Sequence, residues 1–423
     1  MPRCEALALA LTIALAFAFA CATPAWAQRG AVDGHVSLTA DYLPNVDDAI
    51  EARARLFVER KIDATPNLRF SLSGWAEALV ARRSGDGVSD AVARPHEAYV
   101  DLRAGRVDLR AGLSNVVWGR LDEVQPSDVI NPLNISSYLF EGRSAARLPV
   151  PLVRARWFAG EALAVEGVWV PLFRRTRVDF LDEDSSPFDL LTPSEIGVDV
   201  VVDRDEPART LANSQGGVRV SATSGRVDWS VSAYRGFESF GAVTIDVTLD
   251  GDVRIQSLPL HLVERYPRFT MIASDVEAVR GKWTMRGEVA GFVDEMLQSP
   301  DGPFVASGHR IEGGGSLERK AGDYRINGEV LVQRRVTDAW SDTDVSLVTG
   351  AQRTFARDTR RLSLFGVWNM ADATGFLRSI GAWSLRDNLW LEGSVGWFFG
   401  EGTDTLSRFG ARDFAYVRLK AYF

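Results

Sequence analysis

One irregular stretch of the chain carries charged side chains at a spacing that could act on a charged solute. Residues 118–151 contain four prolines and several turn-forming residues, which interrupt any regular strand. The charged residues in and just after this stretch form the candidate site, and they are Arg120, Asp122, Glu123, Asp128, Arg143, Arg147, Arg154 and Arg156. Fixed charges attract ions of opposite sign without forming covalent bonds. Because the arginines of this candidate site outnumber its acidic residues even when Glu141 is included, we predict that the site mildly prefers anions to cations.

Covalent catalysis and metal binding find little support in the sequence. No histidine lies in an H-E-x-x-H motif and no serine lies in a G-x-S-x-G motif. The histidines are His35, His96, His261 and His309. The acidic segment 173–213 has oxygen ligands of the kind that Ca²⁺ prefers, but its spacing matches no EF-hand, so a solvated loop is the favoured interpretation. We therefore predict no catalytic residue, no metal site and no cofactor.

The elements that would position these charges are strands, which regular alternation predicts on both sides of the irregular stretch. From Glu51 to Asp63, charged residues dominate the odd positions and apolar residues the even ones, with Arg60 as the exception. Successive side chains of a strand point to opposite faces, so each run has one apolar wall and one polar wall. These runs are close to the roughly 9–11 residues that a tilted strand needs to cross a bilayer.

Short links between these runs alternate with long polar segments. Two-residue links such as Ala104-Gly105 and Asp387-Asn388 contrast with longer segments, among them 83–95, 119–150, 173–213 and 237–266. This arrangement predicts an all-β, transmembrane antiparallel β-barrel of about 18 strands (range 16–18), with an inserted loop at 119–150. The range reflects 243–258, interpreted as a hairpin protruding into an external loop. Tryptophans near strand ends favour membrane girdles; the alternative is the aromatic core of a soluble β-sandwich.

Both ends of the chain agree with an exported barrel. Residues 1–27 resemble a secretory signal peptide, with Arg3 before an apolar run and Ala25-Trp26-Ala27 as the cleavage site. The two cysteines fall inside this segment, so we predict that the mature barrel domain, residues 28–423, has no disulfide. The final strand alternates and ends on an aromatic residue. We expect Phe423 and Leu419 to take part in closing and assembling the barrel.

A motif in the irregular stretch resembles the W-G-x-x-D…P-x-D…N-P signature of an uncharacterised (domain-of-unknown-function) family of porin-like outer-membrane proteins. Its residues are Trp118, Gly119, Asp122, Pro126, Asp128, Asn131 and Pro132. Tyr266-Pro267-Arg268, Arg286-Gly287-Glu288 and parts of 362–400 are similar to the same family. The resemblance covers most of the mature chain. It implies a porin-like barrel and supplies no catalytic residue.

These patterns together predict a channel in the bacterial cell outer membrane for passive diffusion of small hydrophilic solutes or ions, and not an enzyme. Segment 119–150 is expected to fold inward and narrow the pore, with an ordinary external loop as the alternative. Two other classes stay open: an outer-membrane lipid or lipopolysaccharide hydrolase, and a non-conducting structural or adhesion barrel.

The expected partners follow from this location. They are outer-membrane lipid and lipopolysaccharide, the barrel-assembly machinery and small solutes. A net charge of −8 argues against nucleic acid as a partner. The sequence leaves both a monomer and a homo-oligomer open.

Overall fold

The computed structural model describes residues 32–83, 86–178, 200–245, 260–299, 304–402, 404 and 406–423. Within these ranges, eighteen strands form one closed antiparallel sheet and three form a small separate sheet. The barrel strands are β1 (Asp33–Leu43), β2 (Ala49–Thr65), β3 (Leu68–Arg83), β4 (Asp86–Ala104), β5 (Val107–Ser114), β6 (Val150–Phe158), β7 (Leu163–Val170), β9 (Gln215–Ser224), β10 (Val227–Phe237), β13 (Arg268–Arg280), β14 (Trp283–Gln298), β15 (Val305–Ala321), β16 (Tyr324–Thr337), β17 (Ser341–Phe355), β18 (Arg360–Asn369), β19 (Thr374–Arg386), β20 (Leu389–Phe399) and β21 (Phe414–Tyr422). The small sheet contains β8 (Val200–Asp205), β11 (Ala242–Ile245) and β12 (Leu260–Arg265). Helices α1 (Ile135–Glu141) and α2 (Arg143–Ala146) lie between β5 and β6.

The barrel closes where the last strand meets the first. Strand β21 pairs antiparallel with β1, with His35 opposite Tyr422. At the rim, the backbone N–H groups of Gly34 and Phe423 each donate to the other residue's carbonyl at 3.0 Å. Closure pairs the backbone N–H and C=O groups of each strand with those of its neighbours. A β-chain needs this pairing in hydrocarbon, because no water is present there to bond these groups. The upper end of the predicted range of 16–18 strands is confirmed.

The barrel wall is apolar outside and polar inside. Ile272 and Val417 point outward and are 64% and 57% exposed, whereas Asp275 and Arg418 on the same strands point inward and are 2% and 7% exposed. Outward-facing tryptophans form two rows. Near the short turns they are Trp157, Trp229, Trp283 and Trp383, and near the long connections they are Trp169, Trp368 and Trp397. An apolar belt between two aromatic rows fits a bilayer core with a water interface on each side.

Short turns and the longest connections lie at opposite ends of the barrel, as the sequence predicted. The predicted loop at 83–95 is wrong, because β3 ends at Arg83 and β4 begins at Asp86. Pairing continues through this region, with Ala78 opposite Ala91 and Val80 opposite Ser89. Alternating residues that keep finding cross-strand partners extend the ladder, so these two strands lengthen the wall on the side of the long connections.

The small sheet explains the ambiguity in the strand count. Strand β12 pairs antiparallel with β11 and parallel with β8, and this sheet is separate from the barrel. The predicted hairpin at 243–258 lies mostly on residues 246–259, outside the described residues. The predicted signal peptide at 1–27 and residues 179–199 of the acidic segment also lie outside them. No helix in the described ranges is long and apolar enough to span a membrane.

Two hydrophobic clusters lie inside the barrel, between its wall and the segment that joins β5 to β6. The first brings Leu139 and Phe140 of α1 against Phe376 and Phe414 of the wall. The second, around Trp118, packs against the wall strands β6, β7, β10, β13 and β14. Wall side chains alone fill a barrel of about eight strands, whereas a wider barrel leaves space in its lumen. Here part of that space holds an ordered segment.

Candidate functional site

The candidate site is built on residues 115–149, which join β5 to β6 and are called the lumen insert below. Asn134 caps α1, because its Oδ1 accepts a hydrogen bond from the N–H of Ser137 at 2.9 Å. Gly142 ends this helix at a φ of 81°, and its N–H donates to the carbonyl of Tyr138 at 2.9 Å. These local signals replace a strand with a compact folded segment. The predicted inserted loop at 119–150 is confirmed as an inward fold.

Glu288 on β14 holds the start of the lumen insert by its backbone. The Glu288 carboxylate accepts hydrogen bonds from the N–H groups of Arg120 at 2.8 Å and Leu121 at 3.3 Å. It also accepts from the N–H and the hydroxyl of Ser127, each at 2.7 Å. Gly119 lies against this carboxylate with a φ of +92°, and a Cβ there would sit 2.7 Å from both oxygens. The glycine of the W-G pair is therefore required by the close approach of the two groups.

Charged groups of the wall bind the next residues of the lumen insert. The carboxylate of Glu329 on β16 accepts a hydrogen bond from the N–H of Asp122 at 3.0 Å. The guanidinium of Arg120 lies 2.6 Å from the carboxylate of Asp275, and the carboxylate of Asp122 lies 2.8 Å from Arg286. Partly buried charges need such partners, because water no longer solvates them fully. Arg120 and Asp122 therefore join the lumen insert to strands β13 and β14.

Asp128 braces the lumen insert from within. Its carboxylate accepts hydrogen bonds from Arg147 at 2.7 and 2.9 Å and from Arg143 at 3.3 Å. The Asp128 side chain is fully buried. Asn131 acts in a similar way, since its Oδ1 accepts from the N–H of Val116 at 2.8 Å. Both residues of the motif therefore stabilise the path of the insert.

Trp118 and Pro132, two further motif residues, lie at the base of the lumen insert. Trp118 is 1% exposed, and its Nε1–H donates to Glu166 of β7 at 2.8 Å. Its ring packs edge-on against Tyr234 of β10, with centroids 6.2 Å apart. The carbonyl of Pro132 accepts from the N–H of Leu148 at 2.8 Å, which brings the two ends of the insert together.

The C-terminal end of α1 reaches the wall where the barrel closes. The Glu141 carboxylate lies 2.6 Å from Arg418 of β21 and 3.6 Å from Arg55 of β2. Burial alone would raise the pKa of Glu141, but the guanidinium groups of Arg418, Arg55 and Arg53 outweigh it and hold the pKa well below its usual range. Glu141 is therefore a firmly ionised contact between α1 and two strands.

Aromatic packing adds to this contact. The ring of Phe140 stacks on that of Phe414, with centroids 4.5 Å apart. Arg378 of β19 donates to the carbonyl of Leu139 at 2.8 Å and to the hydroxyl of Tyr416 at 2.5 Å. The lumen insert is thus attached to β13–β16 by its first half and to β19–β21 by the end of α1, so it crosses the lumen.

Two larger cavities lie between α1 and the wall. The short-turn cavity, about 550 Å³, lies toward the short turns, and the long-loop cavity, about 380 Å³, lies toward the long connections. The charged residues that line the short-turn cavity are Arg361, Arg378, Arg418, Lys420, Glu123, Glu141 and Glu392. Those that line the long-loop cavity are Arg143, Glu312, Asp344 and Asp404. Among these lining side chains, cations outnumber carboxylates by one in the short-turn cavity, and carboxylates outnumber cations by two in the long-loop cavity.

The structure places the predicted constriction residues in different positions. Of the six in the lumen insert, Glu123 lines the short-turn cavity, Arg143 lines the long-loop cavity, and Arg147 lines a smaller cavity beside Ser137 of α1. Arg120 and Asp122 contact the wall, and Asp128 lies within the insert. Arg154 and Arg156 lie on β6, nearer the short turns. Arg154 is 4.0 Å from Glu166, and the guanidinium of Arg156 lies over the ring of Phe158 at 5.1 Å.

Sequence reasoning missed the partners that hold the lumen insert, although one signal was present. Asp275 and Glu288 lie opposite each other in the β13–β14 ladder. Like charges in that position repel, so each needs a partner from outside the pair. The insert supplies the partners of Glu288, and Asp275 has Arg120 of the insert and Arg219 of β9. Glu141 carries no such signal, because its partners come from strands at both ends of the chain.

Among the described residues, no group of three or more histidine, cysteine, aspartate or glutamate side chains is placed to hold a metal ion. His35 and His96 pack against aromatic rings. Their ring centroids lie 5.6 and 5.8 Å from that of Trp75.

Comparison with known proteins supports the fold. No protein-family model matches the chain, and no curated protein is significantly similar to it. Pseudomonas aeruginosa OccK7 (OpdD) has a similar structure at a TM-score of 0.52 and 9% identity, covering 93% of this chain and 98% of that one. Acinetobacter baumannii OccAB3 gives 0.50 at 9% identity, covering 93% and 99%. Pseudomonas aeruginosa OccK5 (OpdH) gives 0.48 at 10% identity, covering 93% and 96%.

At such low identity the likeness concerns the fold alone. The closed 18-stranded barrel and its apolar belt make this chain a bacterial outer-membrane β-barrel protein with a porin-like fold. The motif resemblance to an uncharacterised porin-like family stays a prediction.

Proposed function

We propose that the protein is a channel for passive diffusion of small hydrophilic solutes or ions across the bacterial outer membrane, with the lumen insert as its constriction. One observation carries this proposal. The lumen insert crosses a barrel too wide for wall side chains to fill, and it leaves a cavity on each side of α1. Passage of this kind needs no covalent chemistry, since bore and charge give the selectivity.

We propose a mild preference for anions, which the charge of the short-turn cavity supports and the excess carboxylates of the long-loop cavity oppose. Arg361 and Lys420 border the short-turn cavity, where cations outnumber carboxylates. Glu141 and Arg418 largely neutralise each other, which leaves Arg361, Arg378 and Lys420 against Glu123 and Glu392. Fixed positive charge raises the local concentration of anions. A reversal potential in a salt gradient measures this preference, and one that favours cations would contradict it.

Shortening the lumen insert tests its role as the constriction. Deleting residues 134–147 removes α1, α2 and the contact with Arg418, so single-channel conductance should rise. The deletion leaves the wall strands intact, and heat-modifiable migration of the purified protein checks that the barrel still forms. An unchanged conductance in a folded variant would show that the narrow point lies elsewhere.

A non-conducting structural or adhesion barrel is the second candidate function. The observation that favours it is the packing of Leu139 and Phe140 against wall phenylalanines in one hydrophobic cluster. Such packing could close the lumen. Complete absence of conductance by folded protein would support this candidate and reject the channel. We do not favour a lipid or lipopolysaccharide hydrolase, and our proposal assigns no enzymatic role.

The remaining assignments are also proposals. The apolar belt and tryptophan rows support contact with outer-membrane lipid and lipopolysaccharide. The pairing of Phe423 with Gly34 at the closing seam supports the proposed part of the last strand in assembly by the barrel-assembly machinery. Leu419 lies opposite Leu38 in the same seam. Self-association stays an open expectation for which cross-linking in membranes is the test.

A further inference from the structure

The short-turn and long-loop cavities share four lining residues, and all four carry a mainly apolar side chain. Tyr138 and Leu139 belong to α1, whereas Phe365 and Phe376 belong to β18 and β19 of the facing wall. Every charged residue that lines one cavity is missing from the lining of the other, among the residues that the structure describes. The boundary between the cavities is therefore mainly apolar, although both cavities are rich in charge and the hydroxyl of Tyr138 donates to the carbonyl of Glu123 at 3.4 Å.

The four side chains pack against one another and leave little free surface. Leu139 and Phe376 are 8% and 1% exposed and belong to one hydrophobic cluster, against which Tyr138 and Phe365 also pack. The rings of Phe365 and Phe376 lie edge to face, with centroids 6.4 Å apart. A solute that moves from one cavity to the other past this shared lining contacts these four side chains directly.

The charges nearest this boundary are held by fixed partners. Arg378 donates to the carbonyl of Leu139 and to the hydroxyls of Ser394 and Tyr416. Glu141 is paired with Arg418. These groups are occupied with holding α1 and the wall in place, so the boundary offers a passing solute apolar surface and the short-turn cavity offers it charge.

We propose that Tyr138, Leu139, Phe365 and Phe376 form an apolar neck through which solutes cross the barrel, and that this neck favours solutes with apolar surface over equally sized polar ones. The proposal rests on the proposed channel function and specifies its selectivity. A polar group that enters an apolar constriction loses water without gaining a hydrogen bond, whereas an apolar group gains contact area. The neck residues are thus specificity-determining residues for uptake.

L-Valine and L-threonine are suitable probes, because they have the same charge and nearly the same shape and differ by a methyl in place of a hydroxyl. Proteoliposomes that contain the purified full chain are placed in an isosmotic solution of each, and swelling reports the rate of entry. An apolar site separates such a pair by up to about a hundredfold. We expect valine to enter roughly tenfold faster than threonine.

Changes at Leu139 separate the neck from the rest of the channel. Leu139→Asn places a polar group at the boundary, so the ratio of valine to threonine entry should fall toward one. Leu139→Met keeps the site apolar and should preserve the ratio. Leu331→Asn is the matched control, because Leu331 lines the long-loop cavity outside the neck and should leave the ratio unchanged. If Leu139→Asn does not fold, Phe365→Tyr introduces a hydroxyl at the same boundary with little change of shape, and should lower the ratio.

Three results would overturn the inference in different ways. Equal entry of valine and threonine through the wild type, unaltered by Leu139→Asn or Phe365→Tyr, would reject the neck and leave the channel intact. No entry of either solute and no ionic conductance, from protein shown to be folded, would reject the channel itself. A high valine ratio that Leu139→Asn and Leu331→Asn abolish equally would also reject the neck.

Discussion

At the residue scale, Glu288 is the wall group on which the position of the lumen insert most depends. Its carboxylate accepts four hydrogen bonds from Arg120, Leu121 and Ser127. Replacing it with alanine leaves buried donors without partners, at about 1–3 kcal/mol for each unsatisfied group. The cost is partly offset, because the repulsion between Asp275 and Glu288 is also removed.

We therefore expect Glu288→Ala to lower the thermal unfolding midpoint and to increase open-channel current noise. Glu277→Ala is the matched control. Glu277 lies on the same wall and bonds Arg286, not the backbone of the insert. The control should show a clearly smaller change in both measurements. Equal effects of the two substitutions would mean that Glu288 has no special role in holding the insert.

Glu123 gives the short-turn cavity a pH dependence. Burial first, and then the negative charges of Glu329 and Asp122, raise the pKa of Glu123 above its usual value. As the pH falls, Glu123 gains its proton before an ordinary glutamate does, and the cavity loses a negative charge. Anion selectivity in a salt gradient should therefore increase on acidification.

Glu123→Gln should reproduce the low-pH selectivity at pH 7 and weaken its pH dependence. Protonation of Glu123 removes a negative charge, so acidification should shift the selectivity toward anions. A shift toward cations when the wild type is acidified would contradict the assignment.

At the element scale, α1 is held by one ionic contact at its end and by aromatic packing along its side. The pKa of Glu141 is held well below its usual range, so the stabilisation from its ion pairs is present at neutral pH and is lost only when the pH falls through that low value. The docking of α1 should thus be unchanged between pH 7 and pH 5.

Glu141→Gln leaves Arg418 and Arg55 without their shared carboxylate at the end of α1. Single-channel conductance should rise, because α1 is then held less firmly across the lumen. Glu77→Gln is the matched control, since Glu77 pairs with Arg55 within the wall. It should change conductance little. A larger rise from the control than from Glu141→Gln would show that the wall and not the helix limits the current.

Most elements could be predicted from the sequence because a strand repeats a local rule every two residues. The alternation around Arg53 and Arg55 identified their inward face, and the structure pairs Arg55 with Glu77 across the sheet. The long β3–β4 hairpin was missed because polar residues at 83–95 have the composition of a loop. The path of the lumen insert could be predicted as inward, but its partners could not. Most of them come from strands more than a hundred residues away, and no local pattern encodes such contacts.

At the scale of the whole molecule, the lumen of the barrel contains a basic cavity, the short-turn cavity, and an acidic one, the long-loop cavity. We expect anions to concentrate in the short-turn cavity and cations in the long-loop cavity, with the proposed neck between them. A positive voltage on the long-loop side drives cations from the long-loop cavity and anions from the short-turn cavity toward the neck. The reverse voltage drives both kinds of ion away and depletes the neck of ions. The current should therefore be larger when the long-loop side is positive.

This asymmetry is measured with protein inserted in one orientation in a planar bilayer. Lys420→Gln and Asp404→Asn each remove a charge from one cavity and should each reduce the asymmetry. A symmetric current–voltage relation, or a larger current with the opposite sign, would show that these cavities do not lie on the ion path.

The strand count was also predictable, because strands that run alternately up and down must close into one barrel. Strand β21 had to meet β1 if both ends of the chain lie on the side of the short turns, and the structure pairs His35 with Tyr422. The cavities and their shared apolar residues could not be predicted. They arise from the distance between α1 and β18–β19, which depends on how the insert docks.

Conductance of the purified protein in a planar lipid bilayer tests the central claim most directly. The account predicts discrete single-channel steps of low amplitude, a reversal potential that favours anions, and larger steps when residues 134–147 are deleted. Protein shown to be folded that produces no steps, with or without the deletion, would contradict the account.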